Sequence, residues 1–166
     1  TRLDNEIADA LPPAHCDPVV FHQVLLRGIR HARRGLGHDG RLGIRLRLAQ
    51  TGRRACVSCR EGFEGNYIEL VIEDSGSRLS EQQIRGLGAA PPHDAAAGSA
   101  LDDLTEIHAL VHGQGGHLQI RQSEPAGTGL HIYFRAATPE QIEDRAARAR
   151  STVTRFPFIR LREPRE

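Results

Sequence analysis

An acidic residue at the end of an apolar strand pattern is the first place in this sequence where chemistry is expected. Residues 67–72 are mainly apolar and β-branched, which is typical of a buried strand, and Glu73 and Asp74 follow them directly. Ser75 and Gly76 then indicate a tight turn, so the carboxylate of Asp74 should lie at the edge of the sheet. A carboxylate held there can accept a hydrogen bond from an exocyclic amine, such as that of adenine. The alternative is a solvated acid in an ordinary turn.

Basic side chains gather on one face of the strongest helical pattern. Apolar residues recur at helical spacing from Val20 to Ala32, after an Asp-Pro pair that is typical of a helix start. The other face carries four cationic or titratable side chains, which are Arg27, Arg30, His31 and Arg34. Such a face either holds an anion or is simply solvated.

Cysteines and histidines raise the question of a metal site. Cys56 and Cys59 have the spacing of a metal knuckle, but the pattern at 55–60 predicts a strand, on which residues three apart face opposite sides. His108 and His112 lie four apart on one predicted helix, with no third ligand evident beside them, so we expect both on the surface. We therefore expect no metal site. The odd count of three cysteines favours reduced thiols.

Composition excludes several classes of function. The 166 residues contain 22 basic side chains, all arginine, and 21 acidic ones, so no strong field would attract nucleic acid or an anionic membrane. No apolar run approaches the roughly 18 to 20 residues of a membrane span, and no signal peptide is evident. The start at Thr1 leads us to expect a piece excised from a longer protein. The expected location is the cytoplasm, in a parent protein that is free or membrane-anchored.

The elements that must position these residues alternate between helix and strand. After the first helix we expect strands at 42–48, 55–60 and 67–72, separated by turns at 50–54 and 61–66. We then expect a short helix from a capping box at Ser80 to Leu87, a loop at 88–98 that could be a lid, and a helix at 101–111. Strands at 117–122 and 130–135 follow, and Thr138-Pro139 opens a last helix at 140–150. This order predicts an α+β fold. We expect one domain at 1–136, and a C-terminal helix and tail at 137–166 that could link to a following domain.

In order, these features resemble the ATP-binding catalytic domain of sensor histidine kinases, in the superfamily shared with gyrase, heat-shock protein ninety and the mismatch-repair ATPases. Five matches between about residues 16 and 134 carry the resemblance, namely Asp17-Pro18, Gln23-Val24-Leu25-Leu26, Asp74-Ser75-Gly76, Gly115-Gly116 and Gly127-Thr128. The resemblance implies a two-layer α/β sandwich, with a mixed, mostly antiparallel sheet covered by about three helices. It also implies residual recognition of a nucleotide base by Asp74, Gly76 and Thr128.

Two departures affect the magnesium side of the family's site. The family's helix carries two asparagines, the second of which holds the magnesium that bridges the phosphates, and here Arg27 and His31 occupy those positions. An imidazole is a poor ligand for magnesium, which prefers oxygen. In addition, Arg78 replaces the second glycine of the adenine turn.

A third departure affects the phosphate loop. The family's Gly-x-Gly-Leu-Gly-Leu falls on residues 99–104, where the three glycines become Ser99, Leu101 and Asp103, and the leucine between the last two becomes Asp102. Glycines there let backbone amides close on a triphosphate at a helix start. At an effective dielectric of about 20, each fixed negative charge within roughly 4 Å of a phosphate oxygen costs on the order of 4 kcal/mol.

The resemblance and its departures lead to one main hypothesis and one alternative. The main hypothesis is a degenerate kinase module with no intact catalytic residues and no cofactor, which acts through contacts with other domains of a sensor kinase, a response regulator or a second copy. The alternative is an active histidine kinase domain that binds ATP and magnesium, with Arg27, Arg30 and His31 in place of the asparagines. A serine kinase of the anti-sigma type is a variant of that alternative.

The opposite charges of the two helices also predict a contact. If the helices keep the family's positions, the basic face at Arg27 and His31 looks across the pocket at Asp102 and Asp103. We expect short contacts from Arg27 to these aspartates that hold the pocket shut. The alternative is that both sets of side chains are solvated.

Overall fold

The computed structural model describes residues 1–76, 78–87, 100–122 and 127–151, and the side chains at 100–102, 145–146 and 148–151 lie outside this description. The expected lid at 88–98 and the expected loop residue Ser99 therefore fall outside the described residues. The chain divides into two units, Thr1–Ala136 and Ala137–Glu166.

The first unit is built on a five-stranded sheet in the order β1-β2-β3-β5-β4. Its strands are β1 (Arg2–Ile7), β2 (Arg41–Ala55), β3 (Gly62–Asp74), β4 (His117–Gln122) and β5 (Thr128–Arg135). The β1 strand runs parallel to β2, whereas the other neighbouring pairs are antiparallel. The apolar run at 67–72 lies in β3 between two partners, where its β-branched composition is favoured. The prediction of a mixed, mostly antiparallel sheet is confirmed.

The described part of the first unit contains three helices, α1 (Pro18–Gly35), α2 (Glu81–Gly86) and α3 (Ala100–Gly113). The carboxylate of Asp17 caps α1, accepting a hydrogen bond from the Val19 N–H at 2.7 Å. At α2, Ser80 and Gln83 each bond the other's backbone N–H, which is the capping box expected from the sequence. These local signals placed the helix starts correctly.

Helices α1 and α3 pack together and against one face of the sheet. At Gly28 on α1, a Cβ atom would lie 2.3 Å from Cδ1 of Ile72 on β3, so the missing side chain lets the helix approach the central strand. From α3, Leu104, Ile107 and Val111 are fully buried. The predicted two-layer α/β sandwich is therefore confirmed.

The sequence-based account of the first hairpin was wrong. A turn was expected at 50–54 and a separate strand at 55–60, but β2 continues to Ala55 and the turn lies at 56–61. Thr51 pairs with Gly65 beside a β-bulge, so the glycines expected to make turns lie within or beside the bulged region. The correction matters because Cys56 and Cys59 lie in a turn and not on opposite faces of a strand.

The other face of the sheet buries a charge. Glu69 at the centre of β3 is 2 % exposed, and it bonds three partners: Nε of Arg47 at 2.6 Å, Nδ1 of His131 at 2.8 Å and the hydroxyl of Tyr133 at 2.8 Å. Burial opposes ionisation of Glu69, but these hydrogen bonds dominate and lower its pKa to about 2. The carboxylate is thus ionised within a saturated network.

The second unit contains α4 (Pro139–Ser151), which begins as the Thr-Pro pair predicts. Thr138 and Gln141 form a reciprocal cap, with the Gln141 N–H donating to Thr138 Oγ1 at 3.4 Å and the Thr138 N–H donating to Gln141 Oε1 at 3.0 Å. Across the part of the chain that the structure describes, no helix has the length and apolar character needed to cross a bilayer.

Candidate functional site

Asp74 lies at the carboxyl end of β3, at the edge of the sheet, as its sequence position predicts. Asp74 is 9 % exposed, and its carboxylate accepts a hydrogen bond from the Gly76 N–H at 2.8 Å. Burial raises the pKa of Asp74, while the Gly76 N–H, the nearby His31 and the Thr128 N–H act in the opposite direction. The structure thus holds this acid in one orientation at the mouth of the sheet.

The turn after Asp74 is fixed against the end of α1. A Cβ atom at Gly76 would lie 2.3 Å from the carbonyl oxygen of Gly35, so only glycine fits this approach. Ser75 ties the same turn to the start of β2, since its N–H donates to the Arg41 carbonyl at 3.0 Å and its hydroxyl accepts from the Arg41 N–H at 2.9 Å. Helix, turn and strand therefore position Asp74 together.

Two more of the predicted site residues lie beside Asp74. Thr128 is 1 % exposed and pairs with Asp74 in the β3–β5 register. His31 on α1 is 7 % exposed and close enough to influence the titration of Asp74. The structure brings Asp74, Gly76, Thr128 and His31 together at one edge of the sheet.

A second group of charged residues joins α1 to α3. The carboxylate of Asp103 is fully buried, and its main partner is Arg30, whose Nε lies 2.9 Å and 3.1 Å from the two oxygens and whose Nη2 also donates. Arg34 contributes Nη1 at 2.9 Å from Oδ2. Charge-assisted contacts of this kind are the strong ones among hydrogen bonds.

Arg27 contacts Asp103, but at a longer distance than the short contact that was expected. Nη1 of Arg27 lies 3.9 Å from Oδ1 of Asp103, and the same nitrogen pairs with Glu106, one turn further along α3. The side chain of Asp102 lies outside the described residues, and so does that of Leu101. Glu106 was not expected at this contact, although its place three residues after Asp103 puts both acids on one helix face.

This cluster carries a small excess of positive charge. Arg27, Arg30 and Arg34 contribute three positive charges, and Asp103 and Glu106 contribute two negative ones, which leaves one. The arginines are partly exposed, whereas Asp103 is not. A buried carboxylate needs such partners, since an unpaired ion in the interior is strongly destabilising.

The structure also gathers residues that sequence analysis had set apart. His112, expected on the surface, is half-buried, and its ring nitrogen Nε2 lies 3.4 Å from the sulfur of Cys56. His117 at the start of β4 has Nδ1 4.0 Å from the sulfur of Cys59. The sequence signal was the Cys-x2-Cys spacing, and the predicted strand at 55–60 obscured it.

Comparison with known proteins identifies the fold. No protein-family model matches the sequence, and no curated protein matches it either. Among solved structures, 81 % of the chain superposes on 86 % of a mycobacterial sensor histidine kinase, MprB, with a TM-score of 0.53 at 20 % identity. The catalytic domain of histidine kinase ThkA gives a TM-score of 0.59 at 16 % identity, over 84 % of this chain and 81 % of that one.

A full-length kinase matches in the same way. The structure of full-length ShkA in complex with AMPPNP superposes with a TM-score of 0.56 at 14 % identity, over 82 % of this chain and 26 % of that one. At such identities the likeness establishes the architecture. The chain has the fold of histidine kinase catalytic domains, as the sequence resemblance implied.

Proposed function

We propose that this chain is a degenerate catalytic-type module of a sensor histidine kinase, which keeps the ATPase-like fold and acts in two-component signalling through protein contacts. The observation that carries the proposal is the buried carboxylate of Asp103, which is bonded by Arg30 and Arg34. The sequence resemblance aligns this residue with a glycine of the family's phosphate loop. In this module Mg-ATP binding is weak or absent.

The sign of the charge at Asp103 supports this proposal. In the family's pattern a glycine at this point leaves backbone amides free to meet the triphosphate. A carboxylate there both fills the space of the missing side chain and repels phosphate oxygens, at a cost on the order of 4 kcal/mol per contact within roughly 4 Å at an effective dielectric of about 20. The donors of Arg30 that could offset this repulsion already bond Asp103.

The residues of α1 do not fit a magnesium ion. Between Pro18 and Gly35 the helix contains no Asp, Glu or Asn, and its single side-chain amide is Gln23. Magnesium takes nearly octahedral sets of oxygen ligands and is poorly served by guanidinium or imidazole. Phosphoryl transfer depends on positioning the phosphates and neutralising their charge. A module without a metal ligand on this helix lacks the ion that would do both.

Among the functions of the family's site, recognition of a nucleotide base is the one that the residues of this chain fit best. Asp74 is buried, oriented by Gly76 and paired in register with Thr128. A carboxylate in this setting is suited to accept a hydrogen bond from the amine of adenine. We therefore include weak adenine or adenosine binding in the proposal.

One observation favours a second candidate, an active ATP-dependent kinase domain. The cluster of Arg27, Arg30, Arg34, Asp103 and Glu106 has one positive charge in excess, and the side chain of Arg30 is 55 % exposed. Guanidinium groups bind phosphate bidentately, so released arginines could replace the metal. That function requires Arg30 and Arg34 to exchange Asp103 for phosphate.

Isothermal titration calorimetry with ATP, with and without magnesium, separates the two candidates. We expect no measurable heat from the unmodified chain, and recovery of binding when Asp102→Gly and Asp103→Gly are combined with Arg27→Asn and His31→Asn. Asp4→Asn removes an acid from an exposed pair with Arg2 and serves as the matched control, which should stay inert.

Two results would change the conclusion. Micromolar binding of Mg-ATP by the unmodified chain would remove the degenerate-module proposal. Metal-independent ATP binding that Arg30→Ala abolishes would favour the second candidate, and transfer of the γ-phosphate from labelled ATP to a histidine would establish it. Circular dichroism of each variant checks that loss of heat does not reflect loss of the fold.

The partners follow from the same proposal. A module of this kind would contact other domains of its sensor kinase, a response regulator or a second copy, in the cytoplasm. The match of this chain to 26 % of full-length ShkA is consistent with a module that works inside a longer protein.

A further inference from the structure

Four side chains with metal-binding atoms converge at the end of the sheet where the β2–β3 turn meets the end of α3. They are Cys56, Cys59, His112 and His117, and one ligand atom from each lies within 4.8 Å of all the others. Three separate segments supply them: the turn after β2, the last turn of α3 and the first residue of β4. Such convergence is not a consequence of local sequence.

The turn that carries the cysteines is held by backbone hydrogen bonds. It is closed by hydrogen bonds from the Cys56 N–H to the Glu61 carbonyl at 2.9 Å and from the Arg60 N–H to the Cys56 carbonyl at 3.1 Å. Arg60 takes a positive φ of 65°, which a non-glycine residue adopts only where the surrounding structure holds it. This turn holds the sulfurs of Cys56 and Cys59 within 4.8 Å of each other.

Backbone amides also point at the sulfur atoms. The Leu118 N–H lies 3.3 Å from Sγ of Cys56, and the N–H groups of Ser58 and Cys59 bond the same sulfur. N–H groups around a sulfur stabilise its thiolate form, which is the form that binds metal.

The histidines are brought together by a short turn that only glycine can make. Gly115 takes a φ of 67° and ends α3, and a Cβ atom at Gly116 would lie 2.6 Å from the Tyr133 carbonyl oxygen. The chain therefore reverses within a few residues, so that His112 and His117 face the cysteine turn from two sides. His117 is held by stacking on Phe63, with ring centroids 4.5 Å apart.

The distances suit a tetrahedral ion. Zinc bound at about 2.3 Å to sulfur and about 2.0–2.1 Å to nitrogen places its ligand atoms about 3.4 to 3.8 Å from one another. The Cys56–His112 pair is at 3.4 Å and the Cys59–His117 pair at 4.0 Å. Side-chain rotations that shorten the longest separations by about 1 Å would complete the coordination.

The geometry points to a structural Zn²⁺ site formed by Cys56, Cys59, His112 and His117, and we propose it as a property of this chain beyond its kinase-like fold. Two sulfur and two nitrogen donors in a tetrahedral arrangement are a set that selects zinc. On binding, the two thiols release their protons to solvent, and two thiolates with two neutral imidazoles leave the site without net charge. All four positions are filled by protein, so the ion has no open position for a substrate.

The role of this ion is to fasten the β2–β3 turn to the end of α3. Its ligands span three segments whose separation along the chain reaches 61 residues, from Cys56 to His117. Because α3 also carries Asp103 near its start, zinc fixes the far end of the helix that bears the arginine-bound acid.

Metal analysis of the purified 1–166 chain tests the proposal directly. We expect one zinc per chain by inductively coupled plasma mass spectrometry, and an X-ray absorption spectrum fitted by two sulfur and two nitrogen neighbours. Cys59→Ser should lower the zinc content at least tenfold after dialysis against a chelator. Cys16→Ser removes the cysteine outside the cluster and should keep the full content.

A second series guards against loss of the fold. Cys56 is 1 % exposed and part of the core, so its replacement could unfold the protein for reasons unrelated to metal. The exchange His112→Cys keeps four ligands and should retain zinc, whereas His112→Ala should lose it. His108→Ala, whose ring contacts His112 at 4.6 Å, is the histidine control and should retain it.

Three results would overturn the proposal. One is a metal-free chain that takes up neither Zn²⁺ nor Co²⁺ when refolded with the metal under reducing conditions. A second is zinc bound through oxygen and nitrogen alone. The third is a Cys56–Cys59 disulfide as the stable form under the same reducing conditions, which thiol alkylation followed by mass spectrometry would detect.

Discussion

The guanidinium of Arg30 on α1 meets the carboxylate of Asp103 on α3, with Nε 2.9 Å from one oxygen and 3.1 Å from the other. The two residues are 73 positions apart in the sequence. Their contact fastens α1 to α3, the two helices that pack against the sheet.

Removing the charge of Asp103 should destabilise the protein. The Asp103→Asn variant keeps the shape of the side chain but leaves Arg30 and Arg34 without their anion, and we expect a loss of about 1–3 kcal/mol in the free energy of unfolding. The expected loss is smaller than the loss from breaking a fully buried ion pair, because the arginines are partly exposed. Urea unfolding measures it. Asp4→Asn should change stability by less than about 0.5 kcal/mol, and an equal loss in both variants would contradict the assigned role.

Gly76 should not tolerate a side chain. Its Cβ would lie 2.3 Å from the Gly35 carbonyl oxygen and 2.9 Å from Oδ1 of Asp74, so Gly76→Ala must displace the turn from α1. We expect a loss of about 1–3 kcal/mol by thermal or urea unfolding. Gly37→Ala is the matched control, since no heavy atom lies within 4 Å of its Cβ. Equal stability of the two variants would show that the turn can move freely.

The buried charge of Glu69 should make stability depend on acid pH. Its folded-state pKa of about 2 lies below its ordinary value of 4.5, so its contribution is complete above about 4.5 and is lost as the pH falls toward 2. The Glu69→Gln variant should be less stable near neutral pH and should lose less stability across this window. Urea unfolding at a series of pH values tests this. Glu73→Gln, in the partly exposed pair with Arg45, should retain the acid dependence.

The cap of α1 should contribute about 1 kcal/mol to stability. In the Asp17→Ala variant the Val19 N–H loses its acceptor at 2.7 Å, and the helix loses a negative charge at its start. Thermal unfolding measures the loss. Asp39→Ala provides a comparison with an acid that lies outside the helices, and a similar decrease there would argue against a capping effect.

Local sequence signals predicted the helices and the last two strands well. Asp17 followed by proline marks the start of α1, Ser80 with Gln83 marks the start of α2, and the glycines at 115 and 116 end α3. Each of these signals acts within a few residues of the chain. These three helix boundaries could therefore be predicted from short stretches of sequence.

Long-range pairing explains what the sequence did not predict. Gly65 was expected in a turn, but β2 offers Thr51 as its partner and the sheet continues through a bulge. The partners of Asp103 and the arrangement of Cys56 beside His112 depend on how α3 packs, which no short window contains. The network around Glu69 could not be predicted for the same reason, because its three partners come from two other strands.

The long β2–β3 hairpin has a mechanical consequence. In the described sheet, β5 pairs with β3 only from Tyr67 onward, so residues 62–65 have β2 as their sole strand neighbour. Two-stranded segments are only marginally stable in water. Amide hydrogens at this tip should therefore exchange with solvent through local fraying that leaves the rest of the sheet intact. Deuterium uptake at 62–65 therefore measures how firmly this end of the hairpin is held, and the measurement requires no bound nucleotide.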